Sequence, residues 1–334
     1  MEKVRLGVIG CGIAAKNLHW PALSRLSDRF EIVAVCNHTE PKAVEFASMV
    51  GGVPWVLDHR KLLAMNDVEA VDIVLPIHLN FQVTQDALKA GKHVILEKPI
   101  AANLSDARMM LSFPRKYRRV MMVAENCRYQ PLYLRAQQVL GDGLIGRAYA
   151  AIWENYGMLT GSNPYAQTRW RIHHRYPGGF LTDAGVHNMA VLRMLFGEIT
   201  AVAGYAEGIN RSIGKLDTLG MIFDTRKGVS GSFNLFFSAA GHSERRLMIF
   251  GTKGTMVVAE GRISIKRPDQ PDEQMVTEEE EGFVGEFQDF YNAIRKGTKV
   301  RSSFREGARD LQVILAALEA AKSGRKKALR PIGA

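Results

Sequence analysis

The sequence predicts an α/β protein with a doubly wound parallel sheet, followed by an α+β part built on a large, mostly antiparallel open sheet. A glycine turn joins a strand pattern to a helix pattern within residues 4–26. Strand and helix patterns then alternate up to about residue 125, which is typical of right-handed crossovers in a parallel sheet. Most of residues 148–276 show strand patterns separated by short turns. We therefore predict two domains, at residues 1–125 and 126–334.

Length and composition agree with a two-domain globular protein. The 334 residues include 44 Lys and Arg against 34 Asp and Glu, a net charge of +10, and 46% are hydrophobic. The charge suits an anionic cofactor, and no nucleic-acid-binding motif occurs, so we expect no specific nucleic-acid partner. The densest basic run, Arg325–Lys327, is predicted to be a solvated tail.

Other sequence features bear on the compartment. No apolar run approaches the ~18 residues that span a membrane, and residues 1–3 lead directly into a strand pattern. Cys11, Cys36 and Cys127 are scattered and odd in number, which argues against a disulfide framework or a zinc site. We expect a cytoplasmic protein with no signal peptide, no membrane partner and no metal.

The first strand pattern, Val4–Ile9, ends in the sequence G-C-G-I-A-A at residues 10–15, and a helix pattern follows. A pyrophosphate needs close approach of the backbone and amides at a helix N-terminus, and this turn supplies both. Ala15 at the third small position is compatible with the dinucleotide fingerprint. The alternative is a plain tight turn. We predict a dinucleotide site with cofactor contacts from Gly10, Gly12, Ile13 and Ala14.

The end of the second strand pattern, Glu31–Cys36, bears on which dinucleotide binds. An acidic residue here would hold the adenosine ribose 2′-hydroxyl of NAD, but no carboxylate occurs at the expected point. Asn37 and Thr39 are able to hydrogen-bond a ribose or a phosphate. Lys42 or a protonated His38 would neutralise a 2′-phosphate. We therefore favour NADP over NAD. Alternatively, the loop is only a helix entry with Thr39 as its N-cap.

The sequence A-G-K-H-V-I-L-E-K-P at residues 90–99 places two charged side chains directly after a buried strand. Val94–Leu96 is short and continuously apolar, as expected of a strand covered on both faces. Ligands of open α/β sheets bind beyond the carboxyl ends of the strands, so Glu97 and Lys98 lie where chemistry is expected. Pro99 favours an extended backbone at Lys98 and should fix its direction. Alternatively, solvated charges simply cap a strand end.

The second half contains a second pair of side chains suited to chemistry. The sequence P-G-G-F-L-T-D-A-G-V-H at residues 177–187 leads into a helix pattern, and Asp183 and His187 share one helix face. A histidine exchanges a proton near neutral pH, and a nearby carboxylate orients it. We interpret the glycines of this stretch as opening space for a ligand. The alternative is that His187 is structural.

The remaining patterns of the second half predict one sheet and flanking helices. Strands are predicted at Ala148–Tyr156, Ile199–Ala206, Leu219–Phe223, Val229–Phe237, Leu247–Phe250, Gly254–Val258 and Arg262–Lys266. Helices are predicted at about 132–140, 283–296 and 305–322.

Three separated motifs together resemble the Gfo/Idh/MocA family, the glucose–fructose oxidoreductase and inositol dehydrogenase group. They are the glycine turn at 10–15, the sequence at 90–99 with E-N-C-R-Y at 125–129, and the pattern G-G-x-x-x-D-x-G-x-H at 178–187. The resemblance covers almost the whole chain. It implies a Rossmann domain that binds NAD or NADP and a second domain that binds substrate and mediates oligomerisation. It also implies a homo-oligomer, a dimer or tetramer, because such second-domain sheets often pair between subunits in the family.

The resemblance also implies roles for individual residues. Lys98, Asp183 and His187 would be the catalytic and substrate-binding group, and Tyr129 would line the substrate cleft. The family usually has T-P-N-x-x-H after its fourth strand, whereas this chain has L-P-I-H-L-N at 75–80, with Asn80 at the ring-carrying position. Cofactor contacts are implied at Leu75, Pro76, His78, Asn80, Glu97, Lys98, Asn126 and Arg171.

The function that the resemblance implies is reversible hydride transfer between nicotinamide C4 and a carbinol or carbonyl carbon of a sugar, a polyol or a related small molecule. His187, aligned by Asp183, would take the hydroxyl proton, and Lys98 would stabilise the developing alkoxide. Two alternatives stay open. One is an NAD-dependent redox glycosidase whose net reaction is hydrolysis. The other is a non-catalytic nucleotide-sensing regulator.

Overall fold

The computed structural model describes residues 2–333 and divides into two compact units. The first unit comprises the chain up to Asn126 together with Gly282–Ala308 and Gly333, and the second comprises Cys127–Glu281 and Arg309–Ile332. A domain boundary at residue 125 stays a prediction. Among the helices of residues 2–333, none combines the length and the apolar character that crossing a membrane requires.

Within residues 2–126 the first unit alternates strands and helices. These elements are β1 (Val4–Ile9), α1 (Trp20–Arg25), β2 (Phe30–Cys36), α2 (Glu40–Met49), β3 (Trp55–Val56), α3 (His59–Leu63), β4 (Ala70–Ile73), α4 (Asn80–Lys89), β5 (His93–Glu97), α5 (Leu104–Met110), α6 (Phe113–Lys116) and β6 (Met121–Ala124). A π-helical turn at Ala15–His19 precedes α1.

The six strands form one parallel sheet in the order β3-β2-β1-β4-β5-β6. This order confirms the predicted doubly wound sheet. The direction of winding reverses between β1 and β4, and ligands of such sheets bind beyond the carboxyl ends of the strands at that point. The sheet is buried on both faces, with Val94, Ile95 and Leu96 of β5 at 0% exposure. The glycine turn and Lys98 therefore follow strands that end at one edge of the sheet.

The first four residues of the A-G-K-H-V-I-L-E-K-P sequence secure the opposite end of β5. Gly91 ends α4 with φ of +74°, a conformation that favours glycine. The Lys92 ammonium donates to the carbonyls of Met65 (2.9 Å) and Val68 (2.7 Å). The Val120 amide donates to His93 Nδ1 at 2.9 Å. These residues fix the entry into the strand, whereas Glu97 and Lys98 lie at its exit.

The second unit is built on a mixed, mostly antiparallel sheet. The remaining elements of the chain are α7 (Pro131–Gly141), β7 (Ala148–Tyr156), α8 (Arg169–Ile172), α9 (Phe180–Phe196), β8 (Ile199–Glu207), β9 (Thr218–Thr225), β10 (Ser230–Phe236), β11 (Glu244–Gly251), β12 (Thr255–Ala259), β13 (Arg262–Lys266), β14 (Glu273–Val276), α10 (Phe283–Lys296), α11 (Phe304–Ser323) and β15 (Lys327–Ala328). Nine strands pair in the order β14-β13-β12-β11-β7-β10-β9-β8-β15, with β7 and β10 parallel and the other pairs antiparallel. This sheet and the two closing helices confirm the predicted architecture.

The prediction of a solvated tail at Arg325–Lys327 is wrong for Lys327, whereas Arg325 and Lys326 are exposed as expected. Lys327 and Ala328 form β15 at the edge of the nine-stranded sheet, where Lys327 pairs with Val202. Two basic side chains of the run also form ion pairs. The Lys326 ammonium lies 2.7 Å from Asp224, and the Lys327 ammonium lies 2.6 Å from Glu319. A two-residue edge strand is too short to show a pattern, and the charged side chains that mark a solvated run are equally suited to an exposed sheet edge.

Candidate active site

The glycine turn after β1 has the geometry that a dinucleotide requires. Gly10 has φ of +105°, and a Cβ there would lie 2.8 Å from the carbonyl carbon of Val74, so only glycine fits. A Cβ at Gly12 would meet no atom within 4 Å, which leaves the backbone open to a ligand. Ile13 and Ala14 are half-buried at the start of the helical turns, where amides lack partners within the helix. These residues fit a pyrophosphate.

The end of β2 supports the glycine turn directly. The Cys11 amide donates to Asn37 Oδ1 at 3.2 Å, and Asn37 Nδ2 donates to the Thr39 carbonyl at 3.0 Å. Asn37 is 8% exposed, whereas His38 and Lys42 are exposed. Thr39 precedes α2 but makes no side-chain cap. Asn37 therefore braces the turn, and the side chains of His38 and Lys42 face solvent beside it.

The loop after β4 leads into α4 and reaches the end of β5 through the side chain of Asn80. Leu75, Pro76 and His78 are half-buried and lead through a 3₁₀ turn into α4. Asn80 is fully buried, and its Nδ2 donates to the carbonyls of Glu97 (3.1 Å) and Pro99 (2.8 Å). A cofactor contact from Asn80 stays a prediction; its amide donors bind the backbone around Lys98.

Glu97 and Lys98 end β5 as expected. Lys98 is half-buried, and the Lys98–Pro99 peptide bond is cis. Glu97 is 9% exposed, and its Oε1 lies 3.2 Å from Nε2 of His19. A solvated cap at the strand end is therefore wrong for Glu97, whose carboxylate points into the first unit. The reason is the buried imidazole, which provides a partner that the local sequence does not show.

A buried cluster of titratable groups lies behind Glu97, and we call His19, Asp72, Glu97 and Glu286 the His19 cluster. His19 Nδ1 lies 2.8 Å from Asp72 Oδ2, on the other side of the ring from Glu97. Burial acts to lower the pKa of His19, but the ion pair with Asp72 and the hydrogen bonds to both carboxylates outweigh it and hold the pKa well above its ordinary value. His19 is therefore an imidazolium that donates to both neighbours at neutral pH.

Glu286 of α10 completes the cluster without a hydrogen bond. Both carboxyl oxygens are buried and make no hydrogen bond within residues 2–333. Burial is the main reason that the pKa of Glu286 is well above the ordinary glutamate value, and Glu97, Glu125 and Asp72 add to the effect while His19 opposes it. The neutral, protonated form of Glu286 is therefore favoured by its surroundings, because it avoids an uncompensated buried charge.

Glu286→Gln should raise the free energy of unfolding at neutral pH. Because the pKa of Glu286 is raised on folding, the unfolded chain loses this proton first as the pH passes about 4.3, and the wild type then loses stability up to the folded pKa. Gln cannot ionise and removes this loss. Thermal unfolding should give equal Tm values near pH 4 and a higher variant Tm at pH 7, by about 2–4 °C per kcal/mol.

Glu31→Gln is the matched control for this measurement, because Glu31 is an exposed carboxylate of the same unit. Its Tm difference from the wild type should not change with pH. A Glu286→Gln protein that is less stable than the wild type at pH 7 would show that the carboxyl is ionised and stabilising.

In the second unit, α9 positions Asp183 and His187. Asp183 is 6% exposed, and its Oδ2 accepts from Nε of Arg171 at 2.7 Å. The Arg171 guanidinium also lies over the Trp170 ring, 4.0 Å from the centroid. His187 is half-buried one turn further along the helix. Asp183 and Arg171 are therefore brought together, and a cofactor contact from Arg171 stays a prediction.

The glycines before His187 do not open space for a ligand. A Cβ at Gly185 would lie 2.7 Å from Ile314 Cδ1 of α11. A Cβ at Gly179 would lie 2.7 Å from His174, and one at Gly178 would clash with Leu318 and Thr182. The interpretation from the sequence is wrong here, because the missing side chains are replaced by close packing of neighbouring side chains.

Buried charges also fix the far half of α9. Arg193 of α9 pairs with both Asp310 of α11 and Glu198, and Arg128 donates to Asp310 at 2.6 Å. Arg128, Arg193 and Asp310 are at most 6% exposed. Asn126 and Tyr129, two other residues of the E-N-C-R-Y motif, are both 8% exposed. The motif therefore contributes to the anchoring of the helix that carries His187.

Comparison with known proteins identifies the family. The model of an oxidoreductase family with an NAD-binding Rossmann fold matches residues 4–125, and the model of the C-terminal alpha/beta domain of that family matches residues 138–329. An uncharacterised protein of Saccharomyces cerevisiae is 32% identical, over 90% of each chain. The inositol 2-dehydrogenase of Rhizobium meliloti is 26% identical, over 97% of this chain and 98% of that protein. The crystal structure of an oxidoreductase from Thermotoga maritima superposes with a TM-score of 0.93 at 34% identity, over 98% of each chain.

The fold of each unit agrees with the family model that matches it, and the glycine turn of the first unit agrees with a dinucleotide-binding fold. The family matches cover more than nine tenths of residues 4–329, and the parallel sheet of the first unit is the one that binds the dinucleotide in such folds. The chain therefore belongs to the Gfo/Idh/MocA family of NAD(P)-dependent oxidoreductases.

Proposed function

We propose that this oxidoreductase transfers a hydride between the nicotinamide ring and a carbinol carbon of a sugar or polyol. The observation that carries the proposal is the position of Lys98, a half-buried cation directly after the buried strand β5, on a turn whose neighbours are buried. The substrate class is supported by the similarity to an inositol 2-dehydrogenase, whose substrate is a polyol. When bound, the nicotinamide ring accepts or donates the hydride.

We assign the proton chemistry to three side chains. As the hydride leaves the carbinol carbon, the hydroxyl proton must go to a base, and His187 is suited to accept it near neutral pH. Lys98 would donate a hydrogen bond to the same oxygen and stabilise its developing negative charge. Asp183 would orient His187. The hydrogen bond from Arg171 at 2.7 Å fixes the Asp183 carboxylate. Tyr129 would line the substrate site.

We propose NADP as the preferred cofactor. Asn37, the first residue after β2, is engaged with the Cys11 amide, and no acidic side chain takes the place that would hold the ribose hydroxyl of NAD. The exposed side chain of Lys42, or of a protonated His38, would supply positive charge beside the turn for a 2′-phosphate.

A homo-oligomer, a dimer or tetramer, is part of the proposal. One face of the nine-stranded sheet carries exposed apolar side chains, including Tyr205 of β8 (52%) and Ile222 of β9 (58%). Exposed large apolar side chains on one face of a sheet support a contact surface between subunits. We further propose a cytoplasmic enzyme whose partner is a small molecule, with no specific nucleic acid and no membrane partner.

A direct assay tests the reaction. The protein should be incubated with NADP or NAD and a panel of polyols, sugars and their oxidised forms, while NAD(P)H and released sugars are measured together. We expect stoichiometric NAD(P)H formation with at least one polyol or sugar, faster with NADP. Release of a free sugar from a glycoside without net NAD(P)H would instead identify a redox glycosidase. Tight dinucleotide binding with no turnover of any substrate would favour a sensor.

A further inference from the structure

The turn that carries Lys98 is attached to the rest of the first unit through its backbone. We call Glu97–Pro99 the E-K-P turn. The side-chain amide of Asn80 donates one hydrogen bond to the Glu97 carbonyl at 3.1 Å and another to the Pro99 carbonyl at 2.8 Å. A primary amide has two donor hydrogens, so both are used on the carbonyls that flank Lys98. Asn80 has no exposed surface, which leaves water no access to replace these bonds.

The same turn is attached a second time through a side chain. Glu97 Oε1 lies 3.2 Å from His19 Nε2, and the opposite ring nitrogen of His19 lies 2.8 Å from Asp72 Oδ2. His19 is 1% exposed and Asp72 is 0% exposed. Asp72 belongs to β4, the strand next to β5. The imidazole is further enclosed by Phe287, with ring centroids 5.4 Å apart. Glu97 is therefore bonded to a ring that is itself bonded to the adjacent strand.

The hydrogen bonds from Asn80 and His19 together restrict Lys98. The Asn80 amide fixes the carbonyl before Lys98 and the carbonyl after it, and His19 fixes the preceding side chain. The backbone of Lys98 then has little freedom, and its Cα–Cβ direction is set by groups that do not belong to the turn. Catalytic groups must be held within about 0.5 Å of their working positions, and an error of about 1 Å costs up to ~10²-fold in rate.

We propose that Asn80 and His19 are positioning residues that orient Lys98 for hydride transfer. This inference rests on the proposed function, because it assigns Lys98 a part in the reaction. Neither residue needs to contact the substrate for this role. A purely structural role for the same bonds predicts loss of folded protein without a change in turnover per folded molecule.

Asn80→Asp tests the backbone attachment. The variant keeps the shape of the side chain and replaces the amide donor by an acceptor, which faces two carbonyl oxygens. We expect kcat per folded molecule to fall about 10- to 100-fold, which is a larger factor than any rise in the Kd for NADP. The second variants are Asn80→Leu, which removes the amide donors, and His19→Gln, which replaces the imidazole that joins Glu97 and Asp72 by a neutral amide. The same fall in kcat is expected for both.

Thr84→Val is the matched control. Thr84 lies one turn after Asn80 on α4, is fully buried, and its hydroxyl makes no hydrogen bond within the described residues. Val has the same shape, so this variant should keep kcat and Kd. A Thr84→Val protein with the kcat of Asn80→Asp would show that any change inside α4 lowers turnover and would overturn the proposal.

A double-mutant cycle separates the positioning role from the function on which it rests. If Asn80 acts through Lys98, Asn80→Leu should lower kcat in the wild type but change it less than twofold in a Lys98→Met background. Equal falls in both backgrounds would overturn the positioning role and leave the role of Lys98 intact. Normal turnover of Lys98→Met alone would instead reject the proposed function, and the positioning role with it.

Discussion

Lys98→Met should lower kcat by about 10²- to 10³-fold while the protein still binds NADP. The substitution keeps the length and most of the apolar stem of the side chain and removes only the ammonium. Deleting one hydrogen-bond donor to a developing oxyanion has this order of effect in other enzymes. The glycine turn at Gly10–Ala15, which is expected to hold the pyrophosphate, is intact in this variant, so cofactor affinity should fall by a much smaller factor than kcat. Steady-state kinetics together with a fluorescence titration of NADPH provides both values.

The matched control is Lys92→Met, which removes an ammonium from the same A-G-K-H-V-I-L-E-K-P sequence. Lys92 donates to Met65 and Val68 carbonyls at the entry of β5, so its loss should lower the Tm and leave kcat per folded molecule close to normal. The kcat of the companion variant His187→Ala should be lowered to a similar extent as that of Lys98→Met. Near-normal turnover of both variants with cofactor bound would refute the assigned chemistry.

Much of the fold follows from local patterns. A continuous apolar run of three residues in β5 predicts a strand buried on both faces, and its residues are fully buried. The helical stripe at Ala308, Leu311, Ile314, Leu315 and Leu318 predicts the buried face of α11; the first three have 0% exposure, and the other two are half-buried. Such elements are predictable because period and burial are properties of neighbouring residues. The alternation of strands and helices then leaves few possible topologies.

The buried partners of the candidate site could not be predicted in this way. The His19 cluster joins residues 19, 72, 97 and 286, which are separated by up to 267 positions in sequence, 286 minus 19. Only one local signal was present. Asp72 is a carboxylate inside the apolar strand β4, and a buried carboxylate requires a cation or donor. That signal predicts a partner but does not identify it as His19.

The role of Gly185 could not be predicted from local sequence either. The sequence A-G-V-H at 184–187 is equally compatible with an opening for a ligand and with close packing, because both require a residue without Cβ. The structure decides between them, since a Cβ at Gly185 would meet Ile314, which is 129 residues away, 314 minus 185. Asn80 is a comparable case, because its partners depend on how the loop after β4 and the end of β5 meet.

Gly10→Ala should unfold or severely destabilise the first unit and abolish dinucleotide binding. The Cβ would be 2.8 Å from the carbonyl carbon of Val74, closer still to its oxygen, and φ of +105° is disfavoured for any residue with a side chain. Backbone strain of this kind costs about 1–3 kcal/mol, and the clash with a backbone carbonyl adds to it. The loop after β4 would have to move. Thermal unfolding and an NADPH titration should show a Tm lower by at least several degrees and no saturable binding.

Gly12→Ala distinguishes this effect from a loss of ligand contact. Because a Cβ at Gly12 meets nothing within 4 Å, its Tm should stay close to that of the wild type. The same Cβ would project into the space where the backbone must approach the pyrophosphate, so the Kd for NADPH should rise about tenfold or more, equivalent to ~1.4 kcal/mol. The two glycines of one turn would then separate two requirements, a backbone that fits its own sheet and a surface that admits an anion. If Gly12→Ala bound NADPH normally, the pyrophosphate would have to lie elsewhere.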